Sequence, residues 1–238
     1  MKADTRKTLQ VILAIGLVVA AARLIYIYRS RHQSAAPAAQ QAPPLNPTYY
    51  VVPKKLYPYD LKSARQLTRQ PVWVKEGYRY FYYAYDPARH LTDFSHEAGL
   101  LGPIEKLQIK DVTTDVAPGS RKQKQVIAIF EKEAKSYSVP IGAMKGSDYQ
   151  IYSDEMFFID DPRQLYKVWP KEVWDSIEKH EVKPGMDEIQ ASFALGMGVP
   201  QRQEDPAIKT VNYPNGGKPL EVTYRGGKAI EIKPGAAT

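Results

Sequence analysis

The chain has 238 residues, 43% of them hydrophobic and 25% charged, enough for one or two folded domains and a tail. It has no cysteine, which excludes thiol catalysis, disulfides, thiolate metal sites and a lipid-modified N-terminal cysteine. The net charge of +7 is concentrated at one end: residues 1–32 hold six Lys/Arg against one Asp, while the other 206 hold 27 basic and 25 acidic groups, so no basic groove for nucleic acid is indicated.

Lys2, Arg6 and Lys7 precede an apolar stretch over 9–28, whose centre, 11–22, has no charged or hydrogen-bonding side chain. Twenty helical residues rise about 30 Å, enough to span a bilayer core. Arg23 lies near enough to the end to snorkel, and Tyr26 and Tyr28 suit an interfacial belt. The pattern predicts an uncleaved single-pass anchor; the competing reading is a signal peptide cut near Ala20-Ala21-Ala22. Gly16 and Ala20 form a small-xxx-small pair that offers a helix–helix contact in the membrane. Flanking charge is balanced and does not orient the span. The short N-terminal tail before a large domain places residues 1–8 inside and the domains outside the membrane. Residues 33–48, rich in Ala, Gln and Pro, read as a semi-rigid spacer.

From 49 to 160 the pattern is mostly strand. Asp60 is placed to cap a short helix over 61–67. The segment 71–85 alternates around Gly77, with Tyr78, Tyr80 and Tyr82 on one face and Arg79, Phe81 and Tyr83 on the other. Residues 104–116 alternate again, 117–120 form a turn, and 124–130 and 135–141 read as a hairpin, followed by short strands over 149–152 and 156–159. This predicts a β-rich domain, SH3-like or a small partly open barrel.

Residues 161–233 read as a second, α+β unit, followed by a tail over 234–238. Asp161 and Pro162 start one helical turn and Pro170 the next helix, over 171–180. In 182–200, Asp187 and Gln190 have capping-box spacing, Ile189 and Phe193 share a face, and Gly196 then Pro200 stop the helix. Strands over 209–213, 220–224 and 229–232 follow, joined by Gly-Gly turns. Leu220, Val222 and Tyr224 share a face, as do Ile230 and Ile232.

Gly185-Met186-Asp187, Gln190, Leu195-Gly196 and Pro200, with two helices before a three-stranded meander, resemble the SmpA/OmlA (BamE) family of bacterial envelope proteins over residues 170–233. The Leu-Gly to Pro spacing is longer than in that family, and a transmembrane helix stands where the family has a lipid anchor. The resemblance implies an extracytoplasmic interaction module without catalytic residues.

His90 and His96-Glu97 lack metal-ligand spacing. His180-Glu181 ends a helix, where a cation suits the dipole. Asp154-Glu155 and Asp160-Asp161 are adjacent, not convergent. No phosphate loop or nucleophile elbow is present. The sequence thus predicts a membrane-anchored, non-enzymatic envelope scaffold, with no cofactor and no nucleic acid, whose partner is another envelope protein. The alternative is a glycan or peptidoglycan binder using the Tyr78–Tyr80–Tyr82 face.

Overall fold

The computed structural model describes residues 14, 16–29, 50–116, 123–202 and 205–235. Residues 1–49 and 50–238 form two separate units. In the first, residues 16–29 are helical (α1) and exposed. Gly16 and Ala20 stand one turn apart on it, with open space where a Cβ on Gly16 would lie. No helix among the described residues is long and apolar enough to cross a membrane. The expected span over 9–28 begins outside the described residues, and so do the spacer over 33–48, the turn over 117–120 and the end of the tail.

The larger unit is α+β, and all its strand pairs among the described residues are antiparallel. It begins with α2, Leu61–Ala64, where Asp60 and Ser63 form a reciprocal capping box, and a 3-10 turn, Arg65–Arg69. Nine strands follow: β1 Val72–Val74, β2 Phe81–Asp86, β3 Leu91–Leu100, β4 Lys106–Leu107, β5 Ile109–Val116, β6 Gln123–Lys132, β7 Lys135–Lys145, β8 Asp148–Ile151 and β9 Phe157–Phe158. One helical turn, α3 Ser153–Met156, sits before β9.

The large sheet has the order β3-β2-β7-β6-β5, with β8 also on β7. Among the described residues its outer strands, β3 and β5, share no ladder, so it is an open sheet and not a closed barrel, although the Thr92 amide donates to the Asp115 carboxylate (2.6 Å). The expected β6–β7 hairpin is present, and its two turn residues, Glu133 and Ala134, both have positive φ (51° and 59°). Two such residues between paired strands make a type I′ turn, here without glycine or asparagine. Pro140 lies in β7 between the residues that pair with β2 and those that pair with β8. A proline has no amide to offer, and this gap is where the ladder needs none.

The C-terminal part carries α4 Pro162–Leu165, α5 Lys171–Glu178 and α6 Glu188–Leu195, then β10 Val199–Pro200, β11 Ile208–Tyr213, β12 Leu220–Arg225 and β13 Lys228–Pro234. Both capping-box bonds of α6 form: the Gln190 amide donates to Asp187 Oδ1 (3.0 Å) and the Asp187 amide to Gln190 Oε1 (2.9 Å). Two details depart from the sequence reading. Pro200 does more than stop a helix: with Val199 it forms an edge strand on β11, so the sheet has four strands. Ile230 is exposed and does not share a face with Ile232, because a register shift at Thr223/Tyr224 leaves residue 230 without an opposite partner and turns Ala229 inward.

Two large hydrophobic cores fill this unit, beside a small cluster of Tyr85, Ile127 and Ile129 on the other face of the large sheet. One, largely aliphatic, holds Val72, Val74, Leu101, Ile109, Val126, Phe130, Ile141 and Phe157. The other is aromatic: Phe158, Tyr166, Trp169, Trp174, Phe193, Tyr213 and Tyr224. The small sheet β4-β1-β9 separates them. Strand alternation sends Val72 and Val74 to the first core and Trp73 to the second; Phe157 and Phe158 divide in the same way. The boundary expected at 160 falls just after this shared sheet.

Candidate functional site

A cleft of about 390 Å³ opens beside the shared sheet, lined by Trp73, Ile104, Lys106, Arg163, Trp174 and His180 among others. Each wall follows from local structure. On β1, Trp73 points away from Val72 and Val74, and it pairs directly with Lys106 of β4 and Phe158 of β9. Directly opposed residues share a face, so the Lys106 ammonium lies over the Trp73 ring, 5.6 Å from its centroid. On the other wall, Trp174, Ile177 and Glu178 stand three and four residues apart and form one face of α5.

Asp161 starts α4 by accepting the Arg163 amide (2.9 Å), with Pro162 in the first turn. The Arg163 guanidinium pairs with Glu178 and lies 5.4 Å from the Trp174 ring centroid. The His180 ring is not spent on its own helix end: Nδ1 donates to the Ala194 carbonyl in the last turn of α6 (3.0 Å). That bond fixes the imidazole beside Tyr78, with ring centroids 6.5 Å apart.

The cleft is therefore two indoles, each with a cation over its ring, and two carboxylates. Arg163 is matched by Glu178, and Asp161 is engaged as a cap. Lys106 is exposed and pairs with the ring alone among the described groups.

The three tyrosines singled out from sequence do not share a strand face. The expected strand over 71–85 breaks after Val74, because Gly77 packs directly on Pro103: a Cβ there would lie 2.2 Å from the proline nitrogen. Tyr78 turns with φ +60° and packs against Gly196 and Gly216. Its phenol is pushed above the usual range by burial. Tyr80 is half-buried against the aliphatic core; burial and the Glu76 carboxylate push its phenol up to about 12. Tyr82 is buried, edge-on to Phe130 and Tyr137, with Lys132 over its ring.

Gly196 completes the same junction. Its φ of +82° agrees with the helix stop read from sequence, and a Cβ there would lie 2.5 Å from the Gly77 carbonyl oxygen. His90 forms a left-handed turn before β3, and His96 is exposed on β3 next to Asp93. Among the described residues no group of three metal-ligating side chains converges. Asp154 accepts the amides of Leu56 and Tyr57 (3.1 and 2.7 Å) and so holds a segment in place.

Sequence reasoning placed Trp174 within the helix over 171–180 but missed Trp73, Lys106 and Arg163 as neighbours. The one available signal was Trp73 between two valines, a bulky ring on the face opposite a buried one. Comparison with models of known families, with curated proteins and with solved structures returns no match for this chain.

Proposed function

We propose that this chain is a membrane-anchored, non-catalytic interaction protein of the bacterial cell envelope, held in the inner membrane by residues 9–28 with residues 50–238 in the periplasm. Its partner is another envelope protein, gripped at the Trp73–Trp174 cleft. The observation that carries this reading is the composition of the cleft. Trp and Arg are the residue types over-represented where a few contacts dominate binding between proteins. Apart from Lys106, the titratable groups of the cleft have structural tasks: Asp161 caps, Arg163 pairs with Glu178, and His180 bonds to Ala194.

The resemblance to the SmpA/OmlA family supports the envelope address. Met186 and Leu195 are buried, Asp187 and Gln190 cap, and Gly185 and Gly196 have positive φ. Those residues are the frame of the module, which leaves recognition to its surface.

The test is a photo-crosslinking residue at position 106 in the full, detergent-solubilised chain. One discrete protein adduct is expected, with partner recovery falling at least about tenfold in Lys106→Glu. No adduct, together with retention of the chain on isolated sacculi, would replace this reading with a glycan site, on Trp73 instead of the tyrosines.

A further inference from the structure

Before the first helix of the larger unit, residues 51–59 run as an irregular strap, half-buried at Val51, Pro53, Leu56 and Pro58 and exposed between them. Val51 packs on the aromatic core and Leu56 on the aliphatic core, so the strap crosses from one to the other. The outward row is Val52, Lys54, Lys55, Tyr57 and Tyr59, all exposed; Val52, Tyr57 and Tyr59 are 86%, 74% and 76% exposed. Isolated exposed apolar residues are ordinary, but this is a concentrated row of rings and cations on one short segment.

The row is held in shape. The Asp154 carboxylate takes the amides of both Leu56 and Tyr57, and the Tyr59 amide donates to Ser63 Oγ (3.0 Å). Tyr57 is fixed at φ +50°, a conformation that costs a side-chain-bearing residue roughly 1–2 kcal/mol. The Lys55 ammonium lies 5.9 Å from the Tyr57 ring centroid. A fold that only needed to bury Val51 and Leu56 would not require two exposed tyrosines on a pinned, strained turn.

We infer that this strap is a second membrane contact, a surface of lysines and tyrosines that lies in the headgroup layer of an anionic bilayer. The inference rests on residues 9–28 being the anchor. Tyrosine rings favour the membrane–water interface, and each lysine near an anionic surface attracts it. The strap begins directly after the 16-residue spacer, which at about 3.1 Å per residue reaches at most about 50 Å. A tether of that length keeps a weak surface at high local concentration beside the bilayer, so the strap needs little affinity of its own.

The absence of cysteine from the chain gives a clean test. Val52→Cys, labelled with a bimane probe in the otherwise unchanged full chain, reports on the strap, and Val168→Cys, also exposed, is the control. Chains are reconstituted into vesicles with or without phosphatidylglycerol, and flotation is scored separately from emission. The expected result is a blue shift at position 52 only, in anionic vesicles only. Lys54→Ala/Lys55→Ala should lower the ratio of docked to free strap by about thirtyfold, with an unchanged melting curve. A chain that floats without a shift at position 52 overturns the strap and leaves the anchor standing. A chain that neither floats nor shifts overturns both. A shift that ignores lipid charge, that appears equally at position 168, or that needs added envelope protein also overturns the inference.

Discussion

The two cores of the larger unit are built from different materials. The aliphatic core is made mostly by strands, with Ala64, Leu67 and Met156 added from short helical turns, and Val126, Ala128 and Phe130 on one strand supply three adjacent places. The aromatic core draws on the short helices α5 and α6, on the turn that holds Tyr166 and Trp169, and on strands β9, β11, β12 and β13, so each element contributes only a few inward positions. Large rings compensate for the few positions. Phe193 alone contacts the rings of Phe158, Tyr166, Trp169 and Trp174, and Tyr166 stacks on Trp169 at 4.4 Å. A core of many small, regular contacts tolerates a lost methyl group; a core of few large ones depends on its central ring.

The sharpest way to break this comparison is Phe193→Ala. It should cost about 3–5 kcal/mol in urea unfolding and abolish the near-UV circular dichroism of the tryptophans, whereas Ile141→Val in the aliphatic core should cost about 1 kcal/mol. Equal costs would mean that the aromatic core is not organised around one ring. Gly196→Ala comes next, at about 3 kcal/mol, because it combines a left-handed backbone with a clash on the Gly77 carbonyl. Since Gly77 and Gly196 meet at one contact, Gly77→Ala should add less on top of it than it costs alone.

A smaller effect is expected at high pH. The Tyr213 and Tyr224 hydroxyls bond to each other at 2.8 Å, and burial holds both phenols well above their ordinary value. In the unfolded chain they ionise near pH 10, so the unfolded state loses protons first and stability falls as pH rises above about 10. Tyr213→Phe/Tyr224→Phe should flatten that fall in melts between pH 9 and about 11. The smallest change is a gain: Glu133→Asn with Ala134→Gly, which suits the type I′ turn, should stabilise the β6–β7 hairpin by about 1 kcal/mol.

What was legible in the sequence was local. Asp187 and Gln190 announce a helix start because both partners of the bond are three residues apart. Residues 124–130 and 135–141 read as a hairpin because the two strands are neighbours, and the Gly226-Gly227 turn has the φ values that glycine accepts most readily. The features that were misread depend on distant contacts. Tyr78 leaves the strand because Gly77 meets Pro103, Ile230 turns outward because of a register shift against β12, and β10 exists only because β11 has a free edge. The cleft is the extreme case: Trp73 and Trp174 are a hundred residues apart, and neither carries a pattern that points to the other.

The small sheet β4-β1-β9 has a consequence for how the chain finds its register. In most sheets a slip of one residue spoils a single buried face. Here, moving β1 by one place would drive Trp73 among the valines and leave Val72 or Val74 facing rings spaced for an indole. One error would thus be rejected by both cores at once. Three residues, Val72, Trp73 and Val74, act as a key cut on two edges, and the two halves of this unit can close only when both edges fit.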